Sequence, residues 1–403
     1  MSQPAHPHRL AARCAATAAV ALSALAVAAC GSSSSSSADG SSNSSAAGTP
    51  AASTSSGDLA ALRADLKAHS GLVSSYPKVS PIPHGVSSLK GKTVWWVPIG
   101  ASIPTLAAMG NAMQSALARV GIKLQTCDGK LLPTAIAACL SQAASEGAAG
   151  VVTGFVDYAS MPNSFNNLVA HHIPVLVAGE QPDGGKTSTT QLAFYTTRVA
   201  DDEMQRLDLE STITNSDGKA KILYIGVTDS PETKHQAAYA KAFTAQHCPG
   251  CSFTEIDYDT AAINKLASAV SAALLSNPDT TDVVCEVDAC EPFATQGIQT
   301  AGYTNKVKLF SANGNLSSLQ ELKSGSLLTA DVGISATYYG WLFSDGILRL
   351  MTGSLPTPTT TVERVFTKSN VAGLTLTPAA YATEAWYGSN AFEPQFLNAW
   401  AGK

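Results

Sequence analysis

The chain is poor in charge: Asp, Glu, Lys and Arg make up 14% of its 403 residues, and the formal net charge is −5. With no basic run, nothing in it suits a phosphate backbone, which excludes nucleic-acid binding. It also lacks a G-x-S-x-G elbow, a G-x-x-x-x-G-K-S/T phosphate loop, an H-E-x-x-H pair and a G-x-G-x-x-G turn. The usual sequence marks of acyl hydrolysis, nucleotide cradling, zinc peptidases and dinucleotide binding are thus missing. The eight histidines form no set with ligand spacing, and His171-His172 read as the exposed end of a helix. No catalytic residue, metal or cofactor is expected, and the chain is read as a binder, not an enzyme.

No apolar run reaches the ~20 residues that a comfortable bilayer crossing needs. What is present instead is His6, His8, Arg9 and Arg13 followed by an alanine-rich apolar stretch from Ala15 to Ala29. That is the charged-then-apolar order of a secretory signal. Val27-Ala28-Ala29-Cys30 resembles a bacterial lipobox, and the resemblance implies cleavage before Cys30 and diacylation of its sulfur. Two acyl chains anchor stably where one is marginal. Residues 1–29 are therefore expected to be a lipoprotein signal peptide. Residues 30–57, almost all Ser, Ala, Gly and Thr, cannot bury a core and read as a flexible tether. The expected location is the outer face of the cell membrane, in the cell envelope.

Of the other cysteines, Cys14 leaves with the signal, and six remain in three local groups: Cys127 with Cys139, Cys248 with Cys251, and Cys285 with Cys290. In an exported chain, an even and locally clustered set reads as disulfides. Zinc held by Cys248, Cys251, Cys285 and Cys290 is the competing reading, but the second pair lacks two-residue spacing and export favours oxidation.

Beyond residue 57 the chain is longer than one core usually holds, so two lobes are expected. From Lys90 onward short apolar runs alternate with helical patterns. TVWWVPI (93–99) reads as a strand, and Leu106, Met109, Met113, Leu117 and Val120 recur on one helical face. GIKLQTC, AAGVVTGF and IPVLVAGE are further strands, with helices over 133–146 and SFNNLVAHH. The rhythm restarts with KILYIGV (221–227), helix 231–247, FTEIDYD, helix 261–276, TDVVCEV, helix 291–301 and KVKLFSA. Repeated βαβ units imply parallel sheets covered by helices. The fold class is α/β, with two Rossmann-like lobes. A ligand cleft is expected between the carboxyl ends of their strands.

In order and spacing, Ile103-Pro104 after the first strand, EGAAGVV, HHIPVLV, DVVCEVDA, Ala301-Gly302, LFSANG and VFTKSNV resemble a type I periplasmic binding protein of the ribose-binding kind. That family supplies the capture subunit of bacterial ABC importers. The resemblance implies three chain crossings at a hinge. It puts the N-lobe at 90–196 plus 336–356 and the C-lobe at 197–335 plus 357–403. Residues 58–89 become an N-terminal extension, packed beside the N-lobe or loose. Expected partners are a small-molecule ligand, a sugar or polyol first, then an ABC permease and its ATPase, and the membrane through the lipid. A monomer is expected. Rival readings are the same fold binding an amine, amino acid or aromatic solute, and a sensor presenting its ligand to a membrane receptor.

The family's hydroxyl-binding residues are only partly kept. Thr105 and Leu106 stand where stacking phenylalanines are expected, Gly179-Glu180 replaces Asp-Arg, Val287-Asp288 replaces Asn-Asp, Asn313 replaces an aspartate, and Ile334 replaces a glutamine. His235 falls about where an arginine is expected, with Gln236 possible after a one-residue gap. The candidate ligand-binding set is Trp96, Asp157, Glu180, Asp229, His235, Asp288, Asn313 and Tyr338, with Trp95, Phe155, Tyr158 and Tyr339 nearby. Each has a bland alternative: core packing for the tryptophans, helix capping for Asp288, turn or cap roles for Asp157 and Asp229, and a hinge contact for one of Tyr338 and Tyr339. The acids make the cleft less positive than the family's, with Glu180 paired to His235, held by backbone donors, or waiting for a donor on the ligand.

Replacing Cys30 with Ser is expected to release the protein from the membrane or stall its processing. Fractionation and intact mass measure both, and an unchanged, membrane-bound product refutes the anchor.

Overall fold

The structure is a computed structural model that describes residues 53–403 apart from Gly184 and Glu384. The expected signal peptide and Cys30 lie outside the described residues. The expected end of the tether at 57 overlaps the first helix, α1 (Ser56–Ala68), which Ser55 caps by accepting a hydrogen bond from the Asp58 amide at 3.1 Å.

The N-lobe sheet contains β1 (Thr93–Pro98), β2 (Lys123–Thr126), β3 (Gly150–Gly154), β4 (Val175–Ala178) and β5 (Leu192–Tyr195), with α2 (Pro104–Ala118), α3 (Pro133–Ser145) and α4 (Pro162–Ala170) between its first four strands. Its order is β2-β1-β3-β4-β5, all parallel. After α5 (Arg198–Asn215) comes the C-lobe run: β6 (Lys221–Val227), α6 (Pro231–His247), β7 (Ser252–Tyr258), α7 (Leu266–Ser276), β8 (Asp282–Cys285), α8 (Glu291–Thr300), β9 (Lys308–Asn313), α9 (Leu316–Ser324) and β10 (Leu328–Gly333). The chain then forms α10 (Ala336–Met351), β11 (Arg364–Thr367), two short helices, α11 (Lys368–Val371) and α12 (Pro378–Tyr381), and α13 (Glu393–Trp400). The C-lobe sheet runs β11-β10-β9-β8-β6-β7, with β11 antiparallel to β10. These are two α/β lobes with parallel-dominated sheets. The pair β5 and α5 had no strong periodicity to announce it; β5 is a four-residue edge strand.

In β1 adjacent tryptophans face opposite sides. Trp95 packs with Ile136, Leu140 and Phe165, whereas Trp96 joins the cluster of Met109, Met113 and Phe343. The Trp96 ring lies against Gly110, where an added Cβ would stand 2.8 Å from its Nε1. A larger residue at 110 would therefore overpack the core.

The sulfurs of Cys127 and Cys139, Cys248 and Cys251, and Cys285 and Cys290 lie at bonding distance, with Cα separations of 5.7, 5.3 and 6.0 Å.

Two assignments of chain to lobe need correction. The C-terminal helix α13, expected in the C-lobe, packs on α10 and so joins the N-lobe core. Its apolar face explains this, since Trp400 stacks on Trp341 with ring centroids 5.3 Å apart and Phe396 fills the adjoining space. The extension is neither loose nor confined to the N-lobe. In α1, Leu59 and Leu62 pack among Leu209 and Ile213 of α5 and Phe243 of α6. Tyr76 lies 4.8 Å from both Tyr338 and Phe392, and the Ile82 and Val86 amides donate to carbonyls of α13.

An ionic cluster fastens α1 to α5: Arg206 pairs with Asp65, Glu203 and Glu210, Arg63 reaches Asp217 at 2.5 Å, and His69 meets Glu203 at 3.3 Å. The hydrogen bond to Glu203 holds His69 up from 6.5 to about 9, against the lowering effect of burial, and the same bond holds Glu203 down from 4.5 to about 2. A raised histidine and a depressed glutamate contribute fully only between those two ordinary values. The contribution fades as pH climbs through 9 or falls through 2. His69→Gln should therefore lower the denaturation midpoint at pH 6, with the gap to wild type closing towards pH 10.

Candidate functional site

A cavity of about 130 Å³ lies where the carboxyl ends of the two sheets face each other. The N-lobe supplies Ile99 after β1, Thr105, Leu106 and Met109 of α2, Phe155 after β3 and Glu180 after β4. From the C-lobe come Val227 at the end of β6 with Asp229 and Ser230 after it, Tyr258 and Thr260 at β7, Val287 and Ala289 after β8, and Asn313 at the end of β9 with Asn315 after it. Asp201 and Met204 of α5 and Tyr339 of α10 close the side where the chain passes between lobes. At the rim the Thr105 hydroxyl donates 2.8 Å to the Asn315 amide oxygen, a buried bond from one lobe to the other.

Local chemistry sets each wall. Ser230 caps α6, its oxygen accepting from the Glu232 and Thr233 amides at 3.2 and 3.3 Å, and Pro231 occupies the first turn. This aims Glu232, Thr233 and Gln236 at the cavity. Asp229 accepts from the Thr260 amide at 2.9 Å and from its hydroxyl, tying the end of β6 to the end of β7. Phe155 and Asn313 have φ of 57° and 126°, values that ordinary side chains rarely adopt. Phe155 can turn in because residue 179 is glycine: a Cβ there would strike its ring.

Among the described residues, the lining holds four carboxyl groups, Glu180, Asp201, Asp229 and Glu232, and no lysine, arginine or histidine. Arg198, just outside, grips Glu232 through Nη2 at 3.2 Å and Nε at 3.3 Å. Glu180 is 3% exposed. Burial pushes its carboxyl well above the usual range, Asp157, Glu232 and Asp201 add to the shift, and a hydrogen bond from Ser230 opposes it. Burial likewise raises Asp201 well above its range, against a 2.7 Å bond from the Thr197 hydroxyl.

Of the candidate ligand residues, Glu180, Asp229 and Asn313 line the cavity. The rest are placed elsewhere. Trp96 is 1% exposed in the N-lobe core. Tyr338 packs against Tyr76 and Phe392, while its neighbour Tyr339 reaches the cavity because successive helical residues lie about 100° apart. His235 pairs with Asp202 at 2.8 Å and not with Glu180, and Gln236, the one-residue alternative, lines the cavity instead. Asp157 caps the turn before α4, accepting from the Ser160 amide at 3.1 Å, and burial with the nearby Asp183 lifts it to about 6. Asp288 lies behind the wall, accepting from the Ser311 hydroxyl and the Asn315 amide, each at 2.7 Å. Burial raises it to about 7 against those two bonds.

Sequence reasoning missed Asp201, Met204 and Glu232. The first two sit on a helix that was not assigned. Glu232 had a signal, an acid in the first turn of a helix opened by Ser-Pro, where the helix dipole favours negative charge.

No protein-family model and no curated protein sequence matches the chain. Solved structures do. A sugar ABC transporter protein from Yersinia enterocolitica aligns at 18% identity and TM-score 0.65, covering 81% of this chain and 99% of that one. A 5-methylthioribose transporter solute binding protein from Thermotoga lettingae, in complex with 5-methylthioribose, aligns at 16% and 0.65, covering 77% and 99%. A Caulobacter myo-inositol binding protein bound to myo-inositol aligns at 17% and 0.60, covering 73% and 98%. The chain therefore has the two-lobed fold of the type I periplasmic binding proteins.

Thr105→Val should remove the rim bond without disturbing the apolar wall. It is expected to weaken the closed arrangement by about 0.5–1.5 kcal/mol, read as a larger radius of gyration in small-angle scattering.

Proposed function

We propose that the chain is an exported, lipid-anchored solute-binding protein that captures a sugar or polyol and delivers it to an ABC permease. The observation that carries this is the cavity itself, walled by strand ends of both lobes and bridged at its rim by Thr105 and Asn315. Lobe closure is favoured by ligand because only the closed form lets both lobes touch one molecule. The structural neighbours named above include binders of 5-methylthioribose and myo-inositol, small hydroxylated rings that a cavity of this place and kind suits. Anchoring through Cys30 rests on the order of basic residues, apolar run and lipobox-like tetrad. We read the three close sulfur pairs as disulfides, which suits an oxidising compartment. Closing such short loops adds stability at or below the usual ~2–4 kcal/mol each. No step of bond chemistry is needed, and the protein acts as a monomer.

A thermal-shift screen over sugars, polyols, amines and amino acids tests this. A true ligand at a hundred times its dissociation constant stabilises the fold by about 2.7 kcal/mol, and scattering should then show compaction. A screen in which no sugar or polyol stabilises the protein refutes the reading.

A further inference from the structure

We infer that the cavity is built for a sugar- or cyclitol-sized ring that carries a protonated amine, an amino sugar or aminocyclitol, in preference to the neutral polyol. This rests on the solute-capture reading and names its substrate class.

The argument is an inventory of donors and acceptors. A hydroxylated ring both donates and accepts, so a polyol site needs both kinds of group on its wall. Here most wall hydroxyls are already spent inside the protein. Thr105 donates to Asn315, Thr260 donates to Asp229, and Ser230 accepts from two amides of α6 while donating to Glu180. The acceptors remain in surplus. A carboxyl group offers about four lone-pair sites when ionised and keeps acceptor capacity when protonated; of the four in the lining, only Glu232 is matched to a cation among the described residues. An ammonium group, three donors and no acceptor, meets that surplus directly.

Two amides balance the other side. Gln205 donates 3.3 Å to the Gln236 side-chain oxygen, which leaves the Gln236 NH₂ for a ligand oxygen, and the Asn313 NH₂ has only the Met204 sulfur at 3.6 Å. Ile99, Leu106, Met109, Val227 and Ile334 add apolar lining that suits the C–H face of a ring. Glu180 is the decisive group. It is 3% exposed and lies between Asp157 on the β3–α4 loop, Asp201 on α5 and Glu232 on α6. Burial and like charges favour the protonated form of this carboxyl, and a bound ammonium favours the ionised one. Binding of an amine is then coupled to release of a proton, whereas binding of the neutral parent is not.

The test compares matched probes on the wild-type protein by titration calorimetry: D-glucosamine, D-galactosamine and an amino-deoxy-inositol against D-glucose, D-galactose and myo-inositol, with the N-acetylated hexosamines as uncharged controls. At least one amine should bind about tenfold or more tighter than its parent, the worth of a charge-assisted bond. N-acetylation should abolish that gain. Titration in two buffers of different ionisation heat should show proton release for the amine alone. Glu180→Gln should erase the preference for the amine, and because the N-acetyl comparison needs no variant, a misfolded mutant does not spoil the test. Parents binding as tightly as amines overturn this inference and leave solute capture standing. If no probe binds and the wider screen is also empty, both fail.

Discussion

Four backbone N–H groups at the carboxyl ends of the C-lobe strands end on carboxylates, and the shape of the cleft depends on those bonds. Val227 donates to Glu286 at 3.0 Å, Thr260 to Asp229 at 2.9 Å, Gly314 to Asp331 at 3.0 Å and Asn315 to Asp288 at 2.7 Å. A strand end that stops at a ligand site leaves amides with no ladder partner, and buried they need an acceptor. Glu286, Asp288 and Asp331 are all buried, and burial raises each above its ordinary range. These carboxyls fix the backbone at Val227, Gly314 and Asn315, next to the wall residues Asp229 and Asn313.

The N-lobe adds backbone shape to the same device. Phe155 in a left-handed conformation and Gly179 beside it turn the chain over the ends of β3 and β4, while Asp128 accepts from the Ala101 amide at 2.8 Å and Asp157 from the Ser160 amide at 3.1 Å. Apolar groups come from both lobes, Leu106 and Met109 from one and Val227 and Val287 from the other, while Asp229 and Glu232 make the C-lobe side the more acidic. Glu180 is the N-lobe's single acid on the wall, and its hydroxyl partner, Ser230, belongs to the facing lobe.

The fold was legible because a parallel sheet covered on both faces writes itself as apolar runs of strand length separated by helical stripes. KILYIGV and the helix 231–247 match β6 and α6 residue for residue. Elements fixed by tertiary packing were not legible: β5 and α5 lack a strong stripe, and α13 joins the N-lobe because of where Trp341 stands, which no local pattern records. The site followed the same division. Glu180, Asp229 and Asn313 sit directly after strands, so strand assignment places them. Trp96, Tyr338 and His235 depend on which way a side chain turns, and a one-residue rotation separates Tyr338 from Tyr339 and His235 from Gln236. Asp288 is near the wall in sequence but spends its oxygens on Ser311 and Asn315.

The docking of α1 on α5 also defines a mechanical load path. A pull on the chain from its N-terminal side enters through α1 and is met first by Arg63–Asp217, Arg206–Asp65 and the Leu59–Leu62 face, all bearing on α5 and its neighbours. The next resistance is the Val73–Gly388 bridge and the amides of Ile82 and Val86 on α13. Only after these does tension reach β1. Drag on a protein held by that end is thus met first by side-chain clusters outside both sheets and passes into α5, the helix that also carries Asp201 and Met204 of the cleft.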